Sequence, residues 1–244
     1  MRPLKFHPIL KQTLWGGERI IPYKELASGL SRVGESWELS GMPGSESVVA
    51  EGPWAGSTLS ELIGRFGAEL LGKANYARFG QEFPLLVKFI DAREDLSIQV
   101  HPDDELARKR HGKSGKCEMW YVLEAEPGAS LLPGSPRPIA PAEYERRVAD
   151  NTLTDVLNRQ AIASGDVFYL PAGRVHSIGK GSFIVEIQQS SDITYRIYDF
   201  DRRDAAGNSR ELHTELAREA IDFESSENSR ITYAPENKQE VRLV

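Results

Sequence analysis

Between Gly165 and His176 the chain reads Gly-Asp-Val-Phe-Tyr-Leu-Pro-Ala-Gly-Arg-Val-His. Every fixed member of that run has a mechanical task. Gly165 permits the turn into a strand, and Val167, Phe168 and Tyr169 belong to types that favour one. Pro171 and Gly173 end the strand and bend the chain back. His176 is thereby delivered to one point beyond a strand end, at the mouth of a β-structure. A lone histidine is more often a satisfied core or surface residue. Here the spacing favours a ligand.

The rest of the chain agrees with a β-rich fold. Strands are predicted at 85–91, 97–101, 119–123, 166–170, 183–189 and 194–200, each rich in β-branched or aromatic residues and bounded by Gly, Pro or Asp. A weaker strand signal lies at 231–233. Helices are predicted from Thr58, which forms a capping box with Glu61, to Leu71; from Asp103 to His111; over 141–159, as one or two helices; and over 211–223. The stretch 125–142 carries five prolines and reads as a loop. With the glycine-to-histidine run matching the second cupin motif, the expectation is an all-β, jelly-roll-like cupin barrel with inserted short helices. Residues 1–224 would form one domain, with insertions near 58–72 and 141–159, and 225–244 a polar tail.

Side chains alternate along a strand. In Ser97-Ile98-Gln99-Val100-His101, residues 97, 99 and 101 share one polar face, and Gln99 and His101 can offer an oxygen and a nitrogen to one ion. In Lys116-Cys117-Glu118-Met119-Trp120, Lys116, Glu118 and Trp120 share a face. Taken alone, that carboxylate reads equally well as half of a surface ion pair. Gln99, His101, Glu118 and His176 together make a plausible zinc site of catalytic type, since cysteine ligands are lacking and a carboxamide is a weak, exchangeable ligand. Cys117 faces the other way.

Composition removes other classes. The chain has 244 residues, a formal charge of -6, and no apolar run near the length that spans a bilayer. Its basic clusters, Arg108-Lys109-Arg110 and Arg202-Arg203, are short and flanked by acids, which argues against a nucleic-acid partner. One cysteine excludes an internal disulfide framework, and nothing at the N-terminus reads as a secretory signal, so a cytoplasmic setting is expected. His7, His111 and His213 lie in no motif. Trp15-Gly16-Gly17 reads as a turn or as a lip of the pocket.

These motifs together resemble the type I mannose-6-phosphate isomerase family in its short bacterial form. Ser-Ile-Gln-Val-His-Pro-Asp at 97–103 is similar to its zinc-binding signature, and the segment Lys116–Tyr121 to its Lys-x-Glu segment. Ser191-Asp192-Ile193-Thr194-Tyr195-Arg196 is similar to its Ser-Asp-x-Thr-x-Arg segment. Thr13–Gly17 and Gly34–Glu38 also look like family segments. The resemblance implies a zinc-dependent aldose–ketose isomerase acting on a small sugar phosphate, mannose 6-phosphate, through a cis-enediol. It implies Lys116, Asp192 and Arg196 as catalytic candidates, with Ser97 and Lys88 as candidates for the phosphate. Longer members carry a second cupin domain, which the sequence is expected to lack. The competing reading is a metal-containing cupin that binds a sugar as a regulatory module. A metal cupin dioxygenase is disfavoured, because such sites usually hold iron with more histidines. Oligomeric state is not legible.

Overall fold

The computed structural model describes residues 3–224 and 229–234. Its strands in chain order are β1 (Ile9–Gln12), β2 (Val33–Ser40), β3 (Leu85–Ala92), β4 (Ile98–Val100), β5 (Glu118–Ala125), β6 (Ser130–Leu132), β7 (Gln160–Ala161), β8 (Val167–Leu170), β9 (Ser177–Ile178), β10 (Ser182–Gln189), β11 (Tyr195–Tyr198) and β12 (Arg230–Ile231). The helices are α1 (Ile20–Tyr23), α2 (Leu59–Phe66), α3 (Ala68–Leu71), α4 (Lys73–Phe79), α5 (Asp104–His111), α6 (Pro141–Ala149) and α7 (Thr214–Ala220), with a 3-10 turn at Leu153–Val156.

Seven strands form an antiparallel sheet in the order β1-β2-β3-β10-β5-β8-β12. Opposite it lie a three-stranded sheet, β7-β6-β9, and the pair β11-β4. The result is a two-layered jelly-roll-like fold, and its ladders do not close into a continuous barrel among the described residues. Ile90, Trp120, Phe168, Leu170 and Ile184 on the large sheet pack with Leu131 and Ile178 on the three-stranded one. Burying side chains of this size contributes about 1.5–3 kcal/mol each. The β11-β4 pair has two different faces. Ile98, Val100, Tyr195 and Ile197 enter a core with Ala107 of α5, Tyr144 of α6 and Ala217 of α7, whereas Gln99 and Arg196 face the space between the layers.

All six strongly predicted strands are present, most shifted by a residue or two. Two predicted segments differ in form from expectation, and β1, β2, β7, β9, α1 and α4 have no counterpart in the sequence reading. The helix that starts at the Thr58–Glu61 capping box does not run unbroken to Leu71; Gly67, at φ +49°, divides it into α2 and α3. The proline-rich 125–142 segment is not only loop, because β6 sits inside it and pairs with β7 and β9. Within 141–159, expected as one or two helices, α6 ends at Ala149 and a 3-10 turn follows. The predicted tail, 225–244, lies mostly outside the described residues. Its described part includes β12, paired with β8 at the edge of the large sheet. No described helix is long and apolar enough to cross a membrane.

A candidate metal centre at the end of a polar pocket

Three elements distant in sequence deliver the candidate ligands. His101 directly follows β4, Glu118 begins β5, and His176 follows the turn that ends β8. Gly173 makes that turn possible. Its φ is +85°, its N–H donates to His101 O at 2.8 Å, and its carbonyl accepts from Asp222 N at 2.9 Å. Gln99 and His176 then pair as an isolated antiparallel bridge, with Gln99 N–His176 O at 3.0 Å and His176 N–Gln99 O at 2.9 Å. The backbone therefore fixes the separation of two candidate ligands before their side chains contribute.

One ligand atom from each of His101, Glu118 and His176 lies within 4.8 Å of the other two, and all three residues are buried. His101 Nε2 is 3.1 Å from Glu118 Oε1, and His176 Nε2 is 3.5 Å from Oε2. Gln99 Nε2 is 3.4 Å from His176 Nε2. Because amide nitrogen and oxygen are interchangeable by a flip, the carboxamide oxygen can take that same place. Each imidazole is anchored through its other nitrogen. His101 Nδ1 lies 2.8 Å from Ile193 O, and His176 Nδ1 lies 2.8 Å from Arg174 O. Carbonyls only accept, so both Nδ1 atoms carry the proton and both Nε2 lone pairs point at Glu118. Such an outer hydrogen bond to a backbone carbonyl is typical of metal-ligating histidine.

The protonation states suit a cation. Burial, reinforced by the charge of Lys116, lowers the His101 pKa to about 3. Burial likewise lowers that of His176. Both rings are neutral at neutral pH. Burial opposes ionisation of Glu118, but the adjacent charge of Lys116 outweighs it and holds the carboxyl well below its usual range. Lys116 Nζ sits 2.7 Å from Glu118 Oε1 and 3.2 Å from His101 Nε2. Both Glu118 oxygens are buried without a properly directed hydrogen bond. An ionised carboxylate so placed is costly unless a cation faces it. Two neutral imidazoles, one ionised carboxylate and an adjacent carboxamide fit a divalent ion of the zinc type.

The pocket beside this cluster has a volume of about 220 Å³. Among the sequence candidates, Gln99, Lys116, Ser97, Lys88, Asp192 and Arg196 line it. Their partners differ. Asp192 pairs with Lys113 at 2.8 Å; burial raises its pKa, but that bond outweighs the effect and the group is held low. Arg196 is not paired with Asp192: its Nη1 donates to Glu211 O at 2.9 Å, and its Nε is buried without a partner. Lys88 lies in a cross-strand row, Trp37–Lys88–Glu186–Trp120. Its Nζ is 2.8 Å from Glu186 and 3.8 Å from Glu35, and these carboxylates overcome burial to raise its pKa. Lys88 is therefore already compensated inside the pocket wall.

Several pocket residues were assigned no role from sequence, although Thr13, Trp15 and Glu35 lie in segments singled out there. Glu186 accepts from Trp120 Nε1 at 3.0 Å, and Glu35 accepts from Trp37 Nε1 at 2.6 Å. The signal for Glu186 was present: a lone carboxylate with the parity of Ile184 and Gln188 in an otherwise apolar strand. Trp15 is buried and lines the cavity, so its turn is also a pocket wall. Thr13 and Arg210 line it as well. His111 and His213 are not ligands. His111 Nε2 meets Tyr195 OH at 2.7 Å, and His213 Nδ1 accepts from Arg196 N at 3.2 Å.

Comparison with known proteins gives a consistent picture. Residues 4–126 match the family "Phosphomannose isomerase type I, catalytic domain". The chain is 39% identical over 220 residues to a probable mannose-6-phosphate isomerase, GmuF, of Bacillus subtilis, covering 90% of this chain and 68% of that one. It is 39% identical over 224 residues to the mannose-6-phosphate isomerase ManA of the same organism, covering 91% and 69%. The crystal structure of the mannose 6-phosphate isomerase from Bacillus subtilis superimposes with a TM-score of 0.88 at 34% identity, covering 98% of this chain and 74% of that one.

Proposed function

The chain belongs to the type I phosphomannose isomerase family, and from that premise we propose that it interconverts mannose 6-phosphate and fructose 6-phosphate through a cis-enediol, with one divalent ion held by Gln99, His101, Glu118 and His176. The observation that carries this reading is the convergence of three ligand atoms within 4.8 Å at the end of a polar pocket. When bound, a zinc ion supplies Lewis-acid stabilisation for charge on the sugar oxygens.

The reaction moves one proton from C2 to C1 and a second between O1 and O2. Negative charge develops on those oxygens and must meet fixed donors. Lys116 stands next to Glu118 and His101 and donates to or exchanges protons with the sugar oxygens. Asp192, kept ionised by Lys113, is the base that removes the C2 proton and returns it at C1. Arg196 presents guanidinium N–H groups to the enediolate. Ser97 lines the same wall and binds a substrate oxygen. Trp15, Trp37 and the aliphatic lining restrict water near the reacting carbons. The single cysteine, Cys117, is free, which suits a reducing cytoplasm.

A coupled isomerase assay on zinc-loaded protein, run over hexose and pentose phosphates, tests the proposal. Steady conversion of mannose 6-phosphate with about one metal per chain is expected. His176→Ala should lose most of the metal and the activity together. Saturable binding of the sugar phosphate without conversion would instead identify a regulatory module. Full metal retention in both His101→Ala and His176→Ala would remove the proposed ligand set.

A further inference from the structure

We infer that the phosphate of the substrate is held at the pocket mouth by Arg210 and Thr13. This rests on the reading of the chain as a sugar-phosphate isomerase, and it names the residue that makes that site select a phosphomonoester. The argument begins with charge. In the inner pocket Lys88 is matched by Glu186 and Glu35, and Lys116 by Glu118. Asp192 is matched by Lys113. Those seven groups sum to one negative charge when all are ionised, or to one positive charge with the proposed divalent ion, and every lysine among them already faces a carboxylate. Along and after β11 the arginines are less fully matched. Arg196 has no carboxylate within 4.0 Å among the described residues, and Arg202 and Arg210 share Asp199 at 2.6 and 2.7 Å. The 3.9 Å contact of Arg202 with half-exposed Glu94 still leaves a surplus cation.

Geometry selects Arg210 from these three. Arg202 turns Nη1 to Asp95 O, 2.5 Å away, and Arg196 spends a donor on Glu211 O. Asp199 takes Nε and Nη2 of Arg210, and Nη1 has no hydrogen-bond partner among the described residues. The outer opening beyond the pocket is lined by Gln12, Thr13, Leu14, Arg32 and Arg210. Thr13 and Arg210 are the two residues common to that opening and the inner pocket, so they mark the junction. Thr13 Oγ1 is itself buried with no partner among the described residues, a donor without an acceptor at that junction. A planar guanidinium braced by a carboxylate, with a hydroxyl beside it, is a natural receptor for phosphate oxygens.

The test measures inorganic phosphate binding by calorimetry and, separately, kcat/KM for mannose 6-phosphate and for mannose, all on zinc-loaded protein. Arg210→Gln should weaken phosphate binding about 10- to 100-fold, the range for a lost hydrogen bond to a charged group. The preference for the phosphorylated over the free sugar should fall by a similar factor. Arg210→Lys should lie between the two. His176→Ala should still bind phosphate, since the site is separate from the metal ligands. Wild-type phosphate affinity in Arg210→Gln, or equal losses on both sugars, overturns the inference, as does loss of phosphate binding in His176→Ala. If Arg210→Gln does not fold, Thr13→Val carries the test, with a loss of about 2- to 10-fold expected and an unchanged affinity overturning the inference. If the wild type converts no sugar phosphate yet Arg210→Gln loses phosphate binding, the isomerase reading fails while the phosphate site stands.

Discussion

At the level of single residues, the candidate ligands and the groups around them do separable work. Lys116 touches Glu118 and His101 but cannot itself be a ligand while charged. Lys116→Met should therefore keep the metal and lower turnover by about 10²- to 10⁴-fold, the usual contribution of a positioned acid–base group. Metal analysis and steady-state rates on one preparation decide it, and wild-type rates would reduce Lys116 to a counter-ion. Arg196 gives a second contrast. Partnered mainly to a backbone carbonyl and with a buried free Nε, it is not half of an exposed ion pair worth about 0–1 kcal/mol. Arg196→Ala should cost about 10²-fold or more in kcat, in line with loss of a donor aimed at developing charge. Its melting temperature should stay near wild type. Arg196→Lys should recover only part of the rate, because it keeps the charge and loses the planar fork. The four ligand candidates were legible from period-two alternation and one spaced motif. The Lys88–Glu186–Glu35 grouping was not, since its members come from three strands far apart in sequence and only sheet order makes them neighbours.

At the level of elements, alternation proved reliable and boundaries less so. Asp192, Thr194 and Arg196 line the pocket while Ile193, Tyr195 and Ile197 enter the core, as the sequence pattern requires. Most strands that sequence reading missed are short; β2 is the exception, eight residues long with a carboxylate on each face. β1 reads Ile-Leu-Lys-Gln, and β9 has only Ser177 and Ile178. Such segments become strands because a longer neighbour offers them a ladder, which is tertiary information. The turn after β8 is the element on which the site depends most. A Cβ at Gly173 would stand 3.1 Å from Ala220 O, on a backbone with positive φ. Gly173→Ala should destabilise the fold by about 1–3 kcal/mol, the cost of forcing a side chain into that conformation. It should also weaken metal binding, because the Gly173 N–H holds the His101 carbonyl and the same turn leads into His176. Unchanged metal affinity in a measurably less stable Gly173→Ala protein would show that the ligands do not depend on it.

At the level of the whole molecule, the candidate metal centre is also a clasp. Glu118 belongs to the large sheet, His101 follows the β11-β4 pair, and His176 precedes β9 of the three-stranded sheet. An ion bound to all three ties the layers together at one end of the pocket. Without it, two neutral histidines and a single lysine must face the buried carboxylate of Glu118. A ligand that binds only the folded state stabilises it by RT ln(1 + [L]/Kd), about 2.7 kcal/mol at a hundredfold excess over Kd. For a chain of this size each kcal/mol shifts the melting temperature by about 2–4 °C. Removing the metal with a chelator should therefore lower the melting temperature by about 5–10 °C, and returning zinc should restore it. Glu118→Gln separates the clasp from general salt effects. It removes the buried charge that the metal neutralises while nearly keeping shape, but it leaves buried Lys116 without its carboxylate partner, so the apo variant should melt below apo wild type. Added zinc should then raise its melting temperature far less than it raises that of the wild type. A zinc response in Glu118→Gln equal to the wild-type response would place the stabilising ion elsewhere and detach the fold's stability from the proposed centre.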